Sequence, residues 1–138
     1  MHNLFGDKKL TIYTDGGARG NPGPAAIGAV IGGKGYAEKI GKTTNNIAEY
    51  KALVFALKKA KALLGKSKAK ETEVEVNTDS ELIHRQLTGL YRIEDVDLQP
   101  LFVEVWNLKL DFKKVEFRHI PREKNKAADK LVNEALDN

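Results

Sequence analysis

The chain has 138 residues, 41% of them hydrophobic and 30% charged, the size and balance of one folded domain (residues 1–138) rather than a disordered tail or a membrane span. It has no cysteine, which excludes a disulfide framework, a thiolate zinc site and a cysteine nucleophile; its three histidines (His2, His84, His119) are little material for a histidine metal site. Lys plus Arg exceed Asp plus Glu by 23 to 19. The polar stretch Met1 to Lys9 carries no apolar signal core, so a cytoplasmic protein that starts at Met1 is expected.

Lys9–Thr14 alternates and predicts a first strand. Gly16–Pro24 is a dense turn signal, so Asp15 is read as closing that strand and entering the turn. Ala26–Ile31 and Tyr36–Ile40, joined by Gly32, Gly33, Lys34 and Gly35, predict a hairpin. Asn46–Leu64 is a long helix stopped by Gly65, with Ile47, Tyr50, Leu53, Val54, Leu57 and Leu64 at helical spacing. Seven lysines and no acid lie between Lys51 and Lys70, a one-sign stripe that suits a phosphate backbone and, more often, a solvated helix face. Gly65-Lys66-Ser67 ends like a phosphate loop, but Ala60 stands where its first glycine is required.

Glu73–Asn77 predicts a fourth strand, Glu81–Leu87 a short helix, and Gly89–Asp97 a loop. Leu98–Leu110 predicts a helix with Pro100 in its first turn, and Trp106 and Phe102 are read there as packing residues. Lys114–Ile120 is a fifth strand ended by Pro121, and Asn125–Leu136 a last helix. The order β-β-β-α-β-α-α-β-α predicts an α/β fold: a mixed five-stranded sheet, its first three strands antiparallel, with helices on both faces.

Four acids fall at the ends of these elements: Asp15 after strand one, Glu49 in the first turn of the long helix, Asp79 after strand four, and Asp129 one turn into the last helix. With strands one and four parallel neighbours, their carboxyl ends coincide, where open α/β sheets place their sites. Acids converging there repel one another unless cations neutralise them, and an all-oxygen donor set favours Mg²⁺ or Mn²⁺. Each acid alone has a blander reading. Asp15 fits an Asx turn, Glu49 the third position of a capping box with Asn46 as N-cap, Asp79 a helix cap, and Asp129 an exposed helix acid. The case for a site rests on the set.

Four segments carry a resemblance over nearly the whole chain. Tyr13-Thr-Asp-Gly-Gly-Ala-Arg-Gly-Asn-Pro-Gly23, Thr43-Thr-Asn-Asn-Ile-Ala-Glu-Tyr50, Asn77-Thr-Asp-Ser-Glu-Leu82 and His119-Ile-Pro-Arg-Glu-Lys-Asn-Lys-Ala-Ala-Asp-Lys-Leu131 resemble, in order, the successive signatures of type 1 ribonuclease H. The resemblance implies a ribonuclease H-like fold, with the family's four metal-binding carboxylates on Asp15, Glu49, Asp79 and Asp129. It implies endonucleolytic hydrolysis of the RNA strand of an RNA–DNA hybrid by a monomer. The products would carry 3′-hydroxyl and 5′-phosphate ends. Two Mg²⁺ ions would serve, with Mn²⁺ able to substitute. Asp15 is then shared by both ions, and Glu49 also accepts a hydrogen bond from the 2′-OH that marks RNA.

Gly16 and Gly17 are expected to let a nucleic-acid backbone approach closely, and Asn21 to contact the RNA strand. The resemblance places Thr44 at a DNA phosphate and Asn45 and Asn46 in the minor groove, at a helix N-terminus that suits a phosphate in any case. Asn-Pro-Gly is equally a plain turn, and the three residues before the helix are equally caps. Gly89–Leu98 is too short for the basic protrusion of many bacterial members. Weaker hybrid binding is therefore expected, with Lys58–Lys70 or Arg92 as partial compensation. The loop before Asp129 is short, so Arg122 rather than His119 is read as the residue reaching the scissile phosphate. A hybrid-binding module, or a transposase, integrase or junction nuclease on the same fold, are the alternatives. The four acids argue against the first, and Asp-Gly-Gly with Thr-Asn-Asn-x-x-Glu against the second. A domain cut from a reverse transcriptase is a further alternative.

Overall fold

The structure, a computed structural model, describes residues 8–138; Met1–Asp7, with His2 and most of the polar leading stretch, lie outside the described residues. Five strands, β1 (Lys8–Ala18), β2 (Gly23–Ile31), β3 (Lys34–Thr43), β4 (Thr72–Thr78) and β5 (Lys114–His119), form one sheet in the order β3-β2-β1-β4-β5. β1–β2 and β2–β3 are antiparallel, β1–β4 and β4–β5 parallel. The helices are α1 (Asn45–Leu64), α2 (Lys66–Lys70), α3 (Glu81–Leu87), α4 (Gln99–Lys109) and α5 (Lys126–Asp137), with a short 3₁₀ turn at Arg122–Lys124. The expected sheet, with antiparallel first three strands and helices on both faces, is present. Among the described residues no helix is long and apolar enough to cross a membrane.

The glycines of β1 and β2 show how helices reach both faces. A Cβ on Gly16 would lie 2.3 Å from the Ala48 carbonyl of α1, whereas one on Gly17 would meet Val132 of α5. Successive strand residues face opposite sides, so α1 and α5 sandwich the end of β1. Gly28, paired with Asp15 across β1–β2, would meet the Ala128 carbonyl at 2.6 Å. The absence of side chains at 16 and 28 therefore sets how closely both helices approach.

The main core lies under α1. Tyr50, Leu53 and Leu57 are fully buried with Ile12, Val74 and Val76 of the sheet and Val105 of α4. This is the stripe that the helical spacing predicted. Thr44 caps α1, its hydroxyl accepting from the Ile47 N–H at 3.3 Å, and Gly65 ends it with φ +84°.

Three expectations need correction. β1 runs on through Gly16 and Gly17 to Ala18, because these residues pair with Ile27, Ala26 and Ala25; Asp15 thus sits inside a strand rather than at its end. With Thr44 as N-cap, Glu49 lies in the second turn of α1, so no Asn46 capping box exists. Trp106 is not a packing residue but 46% exposed, stacked on Phe102 with centroids 5.6 Å apart and capped by Lys109 Nζ at 3.8 Å. The lysine stripe is a solvated helix face, on which Lys58 pairs with Glu104 (2.9 Å) and Lys61 with Asp111 (3.1 Å). Periodicity on α1 could not reveal acids supplied by the α4 region.

A methyl at position 16 has nowhere to go, whereas Gly33, at φ +88°, would meet nothing within 4 Å. Gly16→Ala is expected to lower stability by about 3 kcal/mol through overpacking, and Gly33→Ala by only about 1 kcal/mol through backbone strain. Urea denaturation of the two variants measures the difference.

Candidate active site

Two residues beyond the last β1–β4 pair, Tyr13 with Asn77, come Asp15 on one strand and Asp79 on the other. The parallel register therefore sets these two acids side by side. Glu49 reaches them from α1, and its Oε1 accepts from the Gly16 N–H at 3.0 Å. One carboxylate oxygen from each of Asp15, Glu49 and Asp79 lies within 4.8 Å of the others. Asp129, near the start of α5, stands near enough to Asp15 for its charge to help raise the Asp15 carboxyl. All four line one cavity of about 340 Å³, together with Gly16, Gly17, Arg19, Asn45, Arg122 and Asn133.

For three of the four acids the blander reading does not describe what the side chain does. Helix α3 is capped by Ser80, whose hydroxyl accepts from Ile83 N–H at 3.2 Å, so Asp79 is not needed as a cap. Glu49 serves no capping box, and Asp15 lies in a strand rather than an Asx turn. Asp129 is an exposed helix acid, but one that opens onto the cavity.

The electrostatics of the cluster are unfavourable as they stand. Burial, followed by the charges of Asp79 and Asp129, pushes the Asp15 carboxyl up from 3.8 to about 7. Burial and the charges of Asp15 and Asp79 hold Glu49 well above the ordinary carboxylate range, opposed by the Gly16 N–H and by Arg122. A divalent cation would reverse both effects, since it compensates the lost hydration and the mutual repulsion. The donor set is oxygen only, which fits a hard cation such as Mg²⁺ or Mn²⁺.

The predicted substrate residues divide. Asn21 Oδ1 accepts from the Asn45 N–H (2.9 Å), and Asn45 Oδ1 from the Ala18 N–H (2.8 Å). These bonds tie the β1–β2 loop to the start of α1 and fix both amides. Thr44 and Asn46 stand half-buried at the same helix start. Gly16 and Gly17 both line the cavity, and the closeness of α1 leaves no room for a side chain at position 16. Arg122 is exposed in the 3₁₀ turn and faces Glu49 across the cavity. His119 ends β5, exposed, its ring 5.9 Å from that of His84, and does not line the cavity.

Two features were missed in the sequence. Asn125 is fully buried beneath the site and donates from Nδ2 to the Thr14 carbonyl at 2.9 Å. Its place four residues before Asp129, on the same helical face, was the available signal. Arg19 reaches α5, pairing with Asp137 at 2.7 Å.

A sheet of this order with carboxylates gathered beside its central parallel pair defines an α/β protein with a candidate cation site. A family model described as reverse transcriptase-like matches residues 13–135. The crystal structure of LC11-RNase H1 in complex with RNA/DNA hybrid is 48% identical, over 93% of this chain and 96% of that one, with a TM-score of 0.86. RNase H1 from the halophilic archaeon Halobacterium salinarum is 41% identical over 94% and 98% of the two chains, with a TM-score of 0.84. The bifunctional protein Rv2228c of Mycobacterium tuberculosis is 37% identical over 94% of this chain. The chain spans only 36% of that relative's length. The chain belongs to the ribonuclease H family, and its likeness is to the type 1 enzymes.

The raised Asp15 carboxyl has a consequence for stability. Between about pH 4 and 7 the folded protein binds a proton there that the unfolded chain, near 3.8, has already lost. Metal-free stability therefore falls as pH rises through this window, and the full penalty stands above pH 7. Asp15→Asn removes it, and is expected to raise stability in EDTA at pH 8 by about 1–3 kcal/mol, with little gain at pH 4. Thermal unfolding in EDTA at the two pH values checks this.

Proposed function

We propose that the chain is an endoribonuclease that hydrolyses the RNA strand of RNA–DNA hybrids, leaving 3′-hydroxyl and 5′-phosphate ends. It acts as a cytoplasmic monomer with Mg²⁺ as cofactor, which Mn²⁺ replaces. The observation that carries this reading is the convergence of Asp15, Glu49 and Asp79 within 4.8 Å of one another. Every carboxylate of the cluster comes from this one chain, which supports a monomeric site. The similarity to RNase H1 solved with an RNA/DNA hybrid supports the substrate class.

Asp15, Glu49, Asp79 and Asp129 would hold two divalent ions. The chemistry such ions supply when bound is a readied water for attack on the phosphodiester and compensation of charge on the departing 3′ oxygen. The remaining work falls to the chain itself. Glu49, held by the Gly16 N–H, accepts a hydrogen bond from the ribose 2′-OH and so selects RNA. Arg122, across the cavity from Glu49, offers a guanidinium to the non-bridging phosphate oxygens. The internal bonds of Asn21 and Asn45 occupy their amide oxygens, leaving the NH₂ groups to donate to sugar and base acceptors. Thr44 and the N-terminus of α1 receive a phosphate of the DNA strand, Asn46 joins Asn45 in the minor groove, and Gly17 leaves the cavity floor clear.

Cleavage of a labelled RNA–DNA hybrid, beside single-stranded RNA, duplex RNA and duplex DNA, tests the proposal. Hybrid-only cutting in Mg²⁺ or Mn²⁺ that EDTA abolishes is expected. Asp15→Asn should lower kcat by about 10³-fold or more, because the acids act as a unit. Arg122→Ala should lower it by about 10–100-fold by removing one charge from the reacting phosphate. Hybrid binding without cleavage would overturn the proposal in favour of a binding module, and cutting of duplex or branched DNA in favour of another nuclease on this fold.

A further inference from the structure

We infer that Asn125 is a positioning residue that holds Asp129 against Asp15 and so completes the cation site; the inference rests on the function proposed above. Asp129 is the one acid of the four carried on an exposed helical position, and nothing about a solvent-facing helix turn fixes where its carboxylate stands. Asn125 supplies what is missing. Its side-chain Nδ2 donates to the carbonyl of Thr14, the residue immediately before Asp15. Its own backbone carbonyl accepts from the Asp129 N–H at 3.1 Å, the first turn of α5. One residue thus bonds to the strand that carries Asp15 and to the backbone of Asp129.

The helix is pinned a second time, where the Ala128 carbonyl lies over Gly28, the cross-strand partner of Asp15. Between them these contacts fix α5 both along and around its axis. Asp129 has little freedom left to move away from Asp15.

The chemistry of Asn125 argues that stability is not its purpose. It is 1% exposed, and its Oδ1 is the one buried side-chain polar atom among the described residues without a hydrogen-bond partner. The desolvation of an idle amide oxygen offsets the gain of a single neutral hydrogen bond. The amide cannot be turned to relieve this, because Oδ1 would then face the Thr14 carbonyl. Nor does Asn125 act as a side-chain cap: its side chain bonds no N–H of α5. Residues that orient metal-binding side chains through one further bond have effects of about 10–100-fold on metal affinity or activity.

The test compares wild type, Asn125→Ala, Asp129→Asn and the double variant. Mn²⁺ binding is read by calorimetry without nucleic acid, hybrid cleavage by kcat and KM, and unfolding by temperature in EDTA. For Asn125→Ala, Mn²⁺ affinity should fall about 10-fold and kcat about 10–100-fold, with the hybrid KM within about twofold. In the Asp129→Asn background the same substitution should change Mn²⁺ affinity less than twofold, because the carboxylate it positions is gone. A lowered unfolding temperature with unchanged Mn²⁺ affinity, or an equal loss of affinity in both backgrounds, would overturn the inference. If Asn125→Ala does not fold, Asn125→Ser, which keeps a polar group but cannot span to Thr14, is read in the same assays against the same outcomes. Should the wild type bind Mn²⁺ without cleaving hybrids, the proposed function fails while the calorimetry still decides the role of Asn125.

Discussion

Acids crowded around one buried carboxyl, Asp15, are the constraint from which the rest of the site follows. Asp15 is 8% exposed and has Glu49, Asp79 and Asp129 as neighbours, an arrangement that water and distance would relieve if the chain allowed it. The scaffold does not allow it. Parallel pairing of β1 with β4 sets Asp15 beside Asp79, and the closeness of α1 over Gly16 delivers Glu49. The energy of this crowding is small beside the burial of Tyr50, Leu53, Leu57 and the sheet residues beneath α1, which is why the fold can sustain it.

A set of buried polar ties holds the elements in place around the acids. Asn77 Nδ2 bonds the Ile12 carbonyl (3.1 Å), binding β4 to β1 just below the site. The Tyr50 hydroxyl, next to Glu49 in sequence, donates to Gln86 of α3 at 2.7 Å, which links the helix of Glu49 to the helix that follows Asp79. Asn125 does the same for α5 and β1. Each tie sits within a residue or two of an acid or on the element that follows one, and each is directional, as apolar contacts are not. Mutual placement of the carboxylates is thus set by hydrogen bonds, and cohesion by the core.

Much of this was legible in the sequence, for reasons that differ from element to element. The apolar spacing from Ile47 to Leu64 specified α1 because one face is buried along its whole length, and alternation specified β4 and β5. The four acids were legible as a set through their motifs, not individually. What was hidden depends on partners far away in the chain. Gly16 and Gly17 read as a turn locally, but pairing with Ala26 and Ile27 keeps them in β1, and the position of Ala48 decides what Gly16 is for. Trp106 has helical spacing with Phe102 but faces outward, since spacing gives a stripe and not its direction. Asn125 looks like an ordinary helix start until the Thr14 carbonyl, 111 residues earlier, is seen to be its partner.

Metal bound among the acids would relieve their mutual repulsion. Calorimetric titration of the protein with Mg²⁺ at pH 7, in two buffers of different ionisation enthalpy, tests it most directly. Saturable binding with proton release at pH 7 is expected, because metal displaces protons from Asp15, pushed up to about 7, and from Glu49, held well above the ordinary carboxylate range. Absence of saturable binding, or binding with no proton release at pH 7, would contradict it.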